Sequence, residues 1–395
     1  MKHVRWMFGV VLAFTLIAAA CGSDDDDDGT TTTAPGSDTT AASGGEGSIW
    51  VLLPDSATSD RWEKDDRRFF QEAFEAEGLV DGTDFNIVNA EGDPQTQISQ
   101  AEQAIGDGAS VIVLTSNDSG SGATIIDMAK EADVKVVEYD RLNVEGSQGG
   151  DVYVSFDNVK VGATMAEVLE PAIDALPVDV PQVVMLNGGE EDNNAFLFRD
   201  GYSAVVEERV TAGDWALVDD QFVPGWDNAE ALSIFEQILV AANNKVDAVF
   251  AANDGIAGSV IAALESAGLD PTKIPVSGQD ATQAGIQNVL LGKQAMSVYK
   301  PIKAEAAIAA QAALALRAGE DVTTLTGDFN IIGISVNDGK PTDTVTGDGV
   351  IPYIALTPIA VTADNVADTV IADGFRTVEE LCTGDVVAAA PDICG

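Results

Sequence analysis

Histidine is nearly missing from this chain: the one copy, His3, lies at the extreme N-terminus. Without it, Ser-His-Asp and Cys-His catalysis and every His-bearing metal site are excluded from the body of the protein. Cysteine is scarce too. Only Cys21, Cys382 and Cys394 occur, and two late cysteines without histidine are too few for a structural zinc site. Basic residues are few, 20 against 65 acidic, giving a net charge of −45. Removing residues 1–20, which carry Lys2 and Arg5 and no acid, brings the charge to −47. Such a charge repels phosphates, so nucleic acid is excluded as a partner, and long-range steering of an anionic ligand is disfavoured. It does not count against an uncharged ligand. Beyond the N-terminus no apolar run is long enough to span a bilayer. Residues 23–47 contain no Val, Ile, Leu or aromatic residue and cannot bury enough apolar surface to offset their ordering entropy.

The N-terminus reads as an export signal. Lys2 and Arg5 precede an apolar stretch from Trp6 to Ile17, and Ala18, Ala19 and Ala20 stand directly before Cys21. This arrangement resembles a bacterial lipobox, which implies a signal peptide over 1–20, acylation of Cys21 and a lipid anchor, with 21–47 as a flexible tether. The spacing Asp24, Asp26, Asp28, Gly29 imitates the start of a calcium loop, but Pro35 occupies the position where a bidentate Glu is needed. It reads as a solvated charge run. No metal and no cofactor is expected. Outside the cytoplasm disulfides persist, so Cys382 and Cys394 are expected to pair, worth about 3 kcal/mol in the chain-entropy model.

From Ser48 onward strand-like and helix-like periods alternate. IWVLLP, FNIVNA, ASVIVLTS, VKVVEYD and YVSFDN alternate with helical segments. The pattern then repeats through QVVMLNG, WALVDDQF, DAVFAAND and IPVSGQD. Two such series predict an α/β protein of two doubly wound parallel-sheet lobes. After a long helix, PIKAEAAIAAQAALALRAGE, come short segments including FNIIGISVNDGKP, whose NDG is a turn signal. They are too few to form a third lobe and are expected to complete the first two.

Several apolar runs end on a polar group: Asp140 and Arg141 in YDR, Asp192 and Asn194 in EEDNNA, Asn253 in AAND, Asp280 in SGQD and Lys300 in VYK. In parallel α/β sheets ligands bind outside the carboxyl ends of the strands, so these groups are expected to share one cleft. Acceptor carboxylates, donor cations and two-way carboxamides suit a neutral, hydroxyl-rich ligand better than a phosphate or metal. Local roles are also open to them: Asp140–Arg141 as a neighbouring ion pair, and Asp280 as N-cap of ATQAGIQNVL.

SDRWEKD, YDR with VSFDNVKVG, DNNAFLFRDG, GWDNAEA, AANDGIAG, SGQDA, VYKPI and LTPIAVTADNVADTVIADGF stand in an order that resembles the D-xylose-binding proteins, type I periplasmic sugar-binding proteins of ABC importers. The likeness runs from Ile49 to Arg376. It implies two lobes joined by a three-strand hinge that closes on sugar. The site it implies comprises Arg61, Trp62, Asp140, Arg141, Asp192, Asn194, Trp226, Asn253, Asp280 and Lys300, with the two indoles covering the sugar faces. Phe196, directly after DNNA, departs from the family pattern close enough to Asn194 to bear on sugar preference. The crossovers are expected near 155–158, at 299–300 and within 325–340. The first lobe would then comprise 48–155 with 300–326, the second 156–299 with 327–362, and the extension 363–395. The expected partners are a monosaccharide and an ABC permease, with the membrane reached through the lipid alone and the protein monomeric. A sugar sensor for a membrane receptor is the nearest alternative. A carboxylate-pair glycosidase is more distant, because Arg141 and Lys300 would keep neighbouring carboxylates ionised and spoil a general acid.

Overall fold

A computed structural model describes residues 47–395 apart from Thr58, Asp60 and Glu145. The expected signal peptide, the expected lipidation site at Cys21 and nearly all of the expected tether lie outside the described residues.

The first series of strands builds one sheet. β1 (Ser48–Leu53), β2 (Phe85–Asn89), β3 (Ala109–Leu114), β4 (Lys135–Tyr139) and β5 (Val152–Phe156) are parallel, in the order β2-β1-β3-β4-β5. Helix α1 (Arg67–Ala76) packs on one face, while α2 (Pro94–Gly106) and α3 (Ser119–Glu131) cover the other. Asp93 and Asp118 cap α2 and α3 through bonds from the amides of Gln95 and Ser121. Their strands read as continuous apolar runs because both faces of the sheet are buried.

The second lobe contains α4 (Asn158–Asp174), β6 (Gln182–Asn187), α5 (Asn193–Ala212), β7 (Ala216–Phe222), α6 (Asn228–Ala241), β8 (Ala248–Ala251), α7 (Asp254–Ser266), α8 (Gln283–Leu290) and β9 (Ser297–Tyr299). Strands β7-β6-β8 are parallel, and bridges Val249–Val276 and Gln279–Val298 extend the sheet through the segment before Asp280 to β9. Helix α9 (Ile302–Ala318) then returns to the first lobe and packs beside α1 over β3, β4 and β5.

The late segments differ from expectation. β10 (Asn330–Ser335) and β11 (Pro341–Thr342) form the hairpin signalled by NDG, and β10 also pairs with β12 (Val350–Leu356). β12 is hydrogen-bonded in parallel to β5, so 330–356 belongs to the first sheet, not to the second lobe. The third crossover therefore falls at 357–358, before β13 (Ile359–Val361) pairs with β9. The reason is side-chain burial: Ile334, Val336, Ile351 and Tyr353 close a small core with Leu142 and Tyr153 at the edge of the first sheet. Alternation alone identifies a strand but not the sheet it joins.

The extension after β13 is folded against the second lobe. Phe375 packs on Tyr299 at 4.9 Å, and Gln287 Nε2 donates to Leu381 O (3.1 Å) and Thr383 Oγ1 (2.8 Å). Cys382 and Cys394 are joined by a disulfide with Cα atoms 5.5 Å apart. No helix among the described residues is long and apolar enough to cross a membrane.

Candidate functional site

The ten residues expected at the site line one cavity between the lobes, with Ser59, Phe198 and Gln279 alongside. The cavity is tight, with about 30 Å³ open to the centres of water molecules. Each group arrives from the carboxyl side of a strand. Arg61 and Trp62 follow β1, Asp140 and Arg141 follow β4, Asp192 and Asn194 follow β6, and Trp226 follows β7. Asn253 follows β8, Asp280 follows the bridged segment, and Lys300 follows β9 at the second crossover.

Local geometry explains how these side chains reach the cavity. Asp140, Trp226 and Asp280 have φ of 61°, 56° and 90°, in the left-handed region that bulky side chains avoid. Strain of this kind persists where surrounding structure holds it, commonly at functional sites. Trp226 is held in a tight turn, and its indole lies against Gly188, where an added Cβ would come within 2.1 Å of the ring. Asp192 and Asn253 are N-caps, accepting from the amides of Asn194 and Ile256. Asp280 is not a cap, because Thr282 caps α8.

Asp140 is the electrostatic centre. Its Oδ2 accepts from Lys300 Nζ at 2.8 Å and Arg61 Nη1 at 3.1 Å. Asn194 Nδ2 donates to its main-chain carbonyl at 2.9 Å. Burial alone would raise the Asp140 pKa, but Lys300 and Arg61 outweigh it and hold the carboxyl well below the usual range. Arg141 pairs instead with Asp192, Nε to Oδ2 at 3.0 Å, linking the lobes. Burial pushes the Asp192 carboxyl up, with Arg141 opposing. The neighbouring pair Asp140–Arg141 is thus divided between different partners. Arg61 lies over Trp62 at 4.0 Å and comes within 3.7 Å of Asp280 Oδ1. Phe198 meets Trp226 edge-on at 6.3 Å between centroids. The indole N–H groups of Trp62 and Trp226, Ser59 Oγ and Gln279 Oε1 have no hydrogen-bond partner among the described residues.

Some residues of the cavity and its support were not marked in the sequence. Phe198 sits one helical turn beyond Asn194 on α5, an i,i+4 relation that could have identified it. Phe196 is 40% exposed and packs on Phe222 in a tilted arrangement at 5.1 Å outside the cavity, so the phenyl beside the site is Phe198. Beneath the cavity Arg61 is gripped by Asp66 (2.9 Å from both Nε and Nη2) and approached by Glu305 from α9 at 3.4 Å. No signal in the sequence joined those residues.

Residues 50–321 match the family model described as periplasmic binding protein domain. The chain belongs to the periplasmic binding protein family. Its fold is the type I fold of that family. This binding protein is 37% identical over 329 residues to the D-xylose-binding periplasmic protein of Escherichia coli, covering 83% of this chain and 90% of the relative. It is 36% identical to the protein of the same description from Haemophilus influenzae, covering 84% and 91%. A solved carbohydrate transporter solute-binding protein from Chloroflexus aurantiacus, in complex with D-glucose, superposes with TM-score 0.71 at 26% identity, covering 84% of this chain and 97% of the other.

Buried acids also set how the fold responds to pH. Asp254, in the first turn of α7, accepts from Thr282 N (2.8 Å), Gln294 Nε2 (2.7 Å) and Ser297 Oγ (2.8 Å). Burial nevertheless pushes its carboxyl up to about 7. Burial likewise raises Asp66, Glu138, Asp192 and Glu305. The unfolded carboxyls titrate near about 4. Between about pH 4 and 7 the folded form therefore binds more protons, and its stability falls as pH rises. Asp140 has the opposite sign: its contribution is present above about pH 4 and is lost on further acidification. Calorimetric melting is expected to show a higher Tm at pH 5 than at pH 8; a profile that rises toward pH 8 would contradict this reading.

Proposed function

We propose that the protein is an extracytoplasmic receptor that captures a monosaccharide, D-xylose or a related aldopyranose, by closing its lobes and delivers it to an ABC permease. The observation that carries this reading is the cavity itself. Asp140, Asp192 and Asp280 offer acceptors, Arg61, Arg141 and Lys300 offer donors, and Asn194 and Asn253 offer both. A pyranose presents hydroxyls around its rim and C–H groups on its faces, which suits a polar ring closed by Trp62 and Trp226. Charge-assisted hydrogen bonds contribute about 1.5–3 kcal/mol each, and a sugar lacking a hydroxyl would strand a buried partner. The relatives named above carry xylose and glucose in their descriptions, which supports the same ligand class for this chain. The protein is proposed to act as a monomer, anchored by lipid at Cys21, and to bind its ligand without chemical turnover. A thermal-shift screen against aldopentoses and aldohexoses tests this, followed by calorimetry. Ligand at a hundredfold excess over Kd should add about 2.7 kcal/mol of stability. Absence of heat with every pentose and hexose, from protein shown to be folded, would overturn the proposal.

A further inference from the structure

Arg376 belongs to the C-terminal extension, yet it touches both lobes beside the sugar cavity. Its Nε donates to Ala281 O at 3.0 Å, in the second lobe. Its Nη2 donates to Asp65 Oδ2 at 3.1 Å and its Nη1 lies 3.4 Å from Asp65 Oδ1, in the first lobe. The guanidinium lies over the Phe375 ring at 3.9 Å, and Phe375 packs on Tyr299 of β9. The Tyr299 hydroxyl donates to Asp373, so the base of this arm is fastened to the second lobe next to Lys300.

The two attachment points are what make the contact informative. Asp65 lies in the π-helical turn Trp62–Asp66, which carries Trp62 and the Asp66 carboxylate that grips Arg61. Ala281, itself at φ 46°, directly follows Asp280. One planar fork thus ties the turn presenting Arg61 and Trp62 to the turn presenting Asp280. Arg376 is 7% exposed and Asp65 3%. An exposed pair would contribute little; without Arg376, Asp65 would keep only the half-exposed Arg68 at 3.2 Å, and without Asp65 the buried Arg376 guanidinium would lose its carboxylate. The bidentate geometry also favours arginine over lysine.

We infer that Arg376 is an interlobe positioning residue: a clasp, supplied by the extension, that holds the closed lobes together and thereby sets how fast captured sugar leaves. This rests on the sugar-binding reading above. The clasp does not touch ligand, so its effect falls on dissociation, where most affinity differences between related complexes arise.

The test is a double-mutant cycle of Arg376→Met and Asp65→Asn, read by calorimetry and stopped-flow with an aldose that the wild type binds. Hydrogen exchange of the same proteins is measured alongside, at saturating aldose where one binds and without ligand otherwise. Each single variant should weaken binding about tenfold or more through faster dissociation, and the double variant should be no weaker than the weaker single. Arg376→Lys should recover part of the loss if the charge acts across the cleft. Asp65→Asn should raise exchange in 279–283 on the opposite lobe, and Arg376→Met should raise it in 62–66. Additive losses, or unchanged affinity with exchange disturbed only on the mutated lobe, would overturn the clasp. If the wild type gives no heat with any aldose, the functional reading fails and the cross-cleft exchange decides the clasp by itself.

Discussion

Replacing Asp140 with Asn is expected to lower sugar affinity by about two to three orders of magnitude while leaving the fold assembled. Truncating one partner of a buried, hydrogen-bonded charge pair costs about 2–5 kcal/mol, and Asp140 serves two cations at once. Lys300 Nζ and Arg61 Nη1 both donate to Oδ2, so an Asn oxygen there could still meet them but would bring no charge to compensate theirs, and an NH₂ in place of Oδ1 would face the Asn194 Nδ2 donor at 3.3 Å. The substitution keeps the shape of the side chain. It also suits φ 61°, because Asn visits the left-handed region more readily than most residues. The bonds from Tyr153 Oη, Ser155 Oγ and Asn194 Nδ2 to the Asp140 main-chain carbonyl do not involve the substituted carboxylate. Calorimetric titration with the best aldose, and circular dichroism to verify the fold, would check this. An affinity within a factor of five of wild type would show that Asp140 is structural rather than part of the binding surface.

Arg61→Met should act on stability as strongly as on binding. Arg61 is nearly inaccessible and sits among Asp66, Asp140, Glu305 and, at longer range, Asp280. Its guanidinium grips Asp66 through two 2.9 Å bonds, a geometry that a lysine ammonium cannot reproduce. Removing the cation leaves buried carboxylates uncompensated, at a cost of about 3–5 kcal/mol. Burial already pushes Asp66 and Glu305 toward the neutral form. Without Arg61 they should take up protons more readily, so acidification from pH 8 to pH 5 should restore part of the lost stability. Chemical denaturation of both proteins at the two pH values measures this. A loss below about 1 kcal/mol at pH 8, the range of an exposed ion pair, would mean that the site tolerates the missing charge and that Arg61 acts only on ligand.

The strand-end groups were legible because their signal is local. An apolar run that stops at Asp140, Asn253 or Lys300 marks a strand and its carboxyl end together, and parallel sheets place those ends on one side. Arg61, Trp62 and Trp226 were legible through the ordered motifs SDRWEKD and GWDNAEA. The extension was less transparent. Its cysteines implied a disulfide, but nothing in LTPIAVTADNVADTVIADGF or the following Arg376 indicated that a side chain there would reach Asp65. The third crossover was misplaced for a related reason. The NDG hairpin was visible, while the burial of Ile334 and Tyr353 against Tyr153, which draws 330–356 to the first sheet, was not.

By itself, then, the sequence determined an α/β chain of alternating strands and helices with polar groups at the strand ends, no histidine beyond His3, and a strongly acidic composition. These follow from periodicity, composition and turn chemistry, which operate within a few residues. The tertiary structure alone decided which charges meet. Lys300 and Asp140 are 160 positions apart, Arg61 and Glu305 are 244, and Arg376 and Asp65 are 311. Coulombic and hydrogen-bond energies depend on distance through space, and only the folded lobes set that distance.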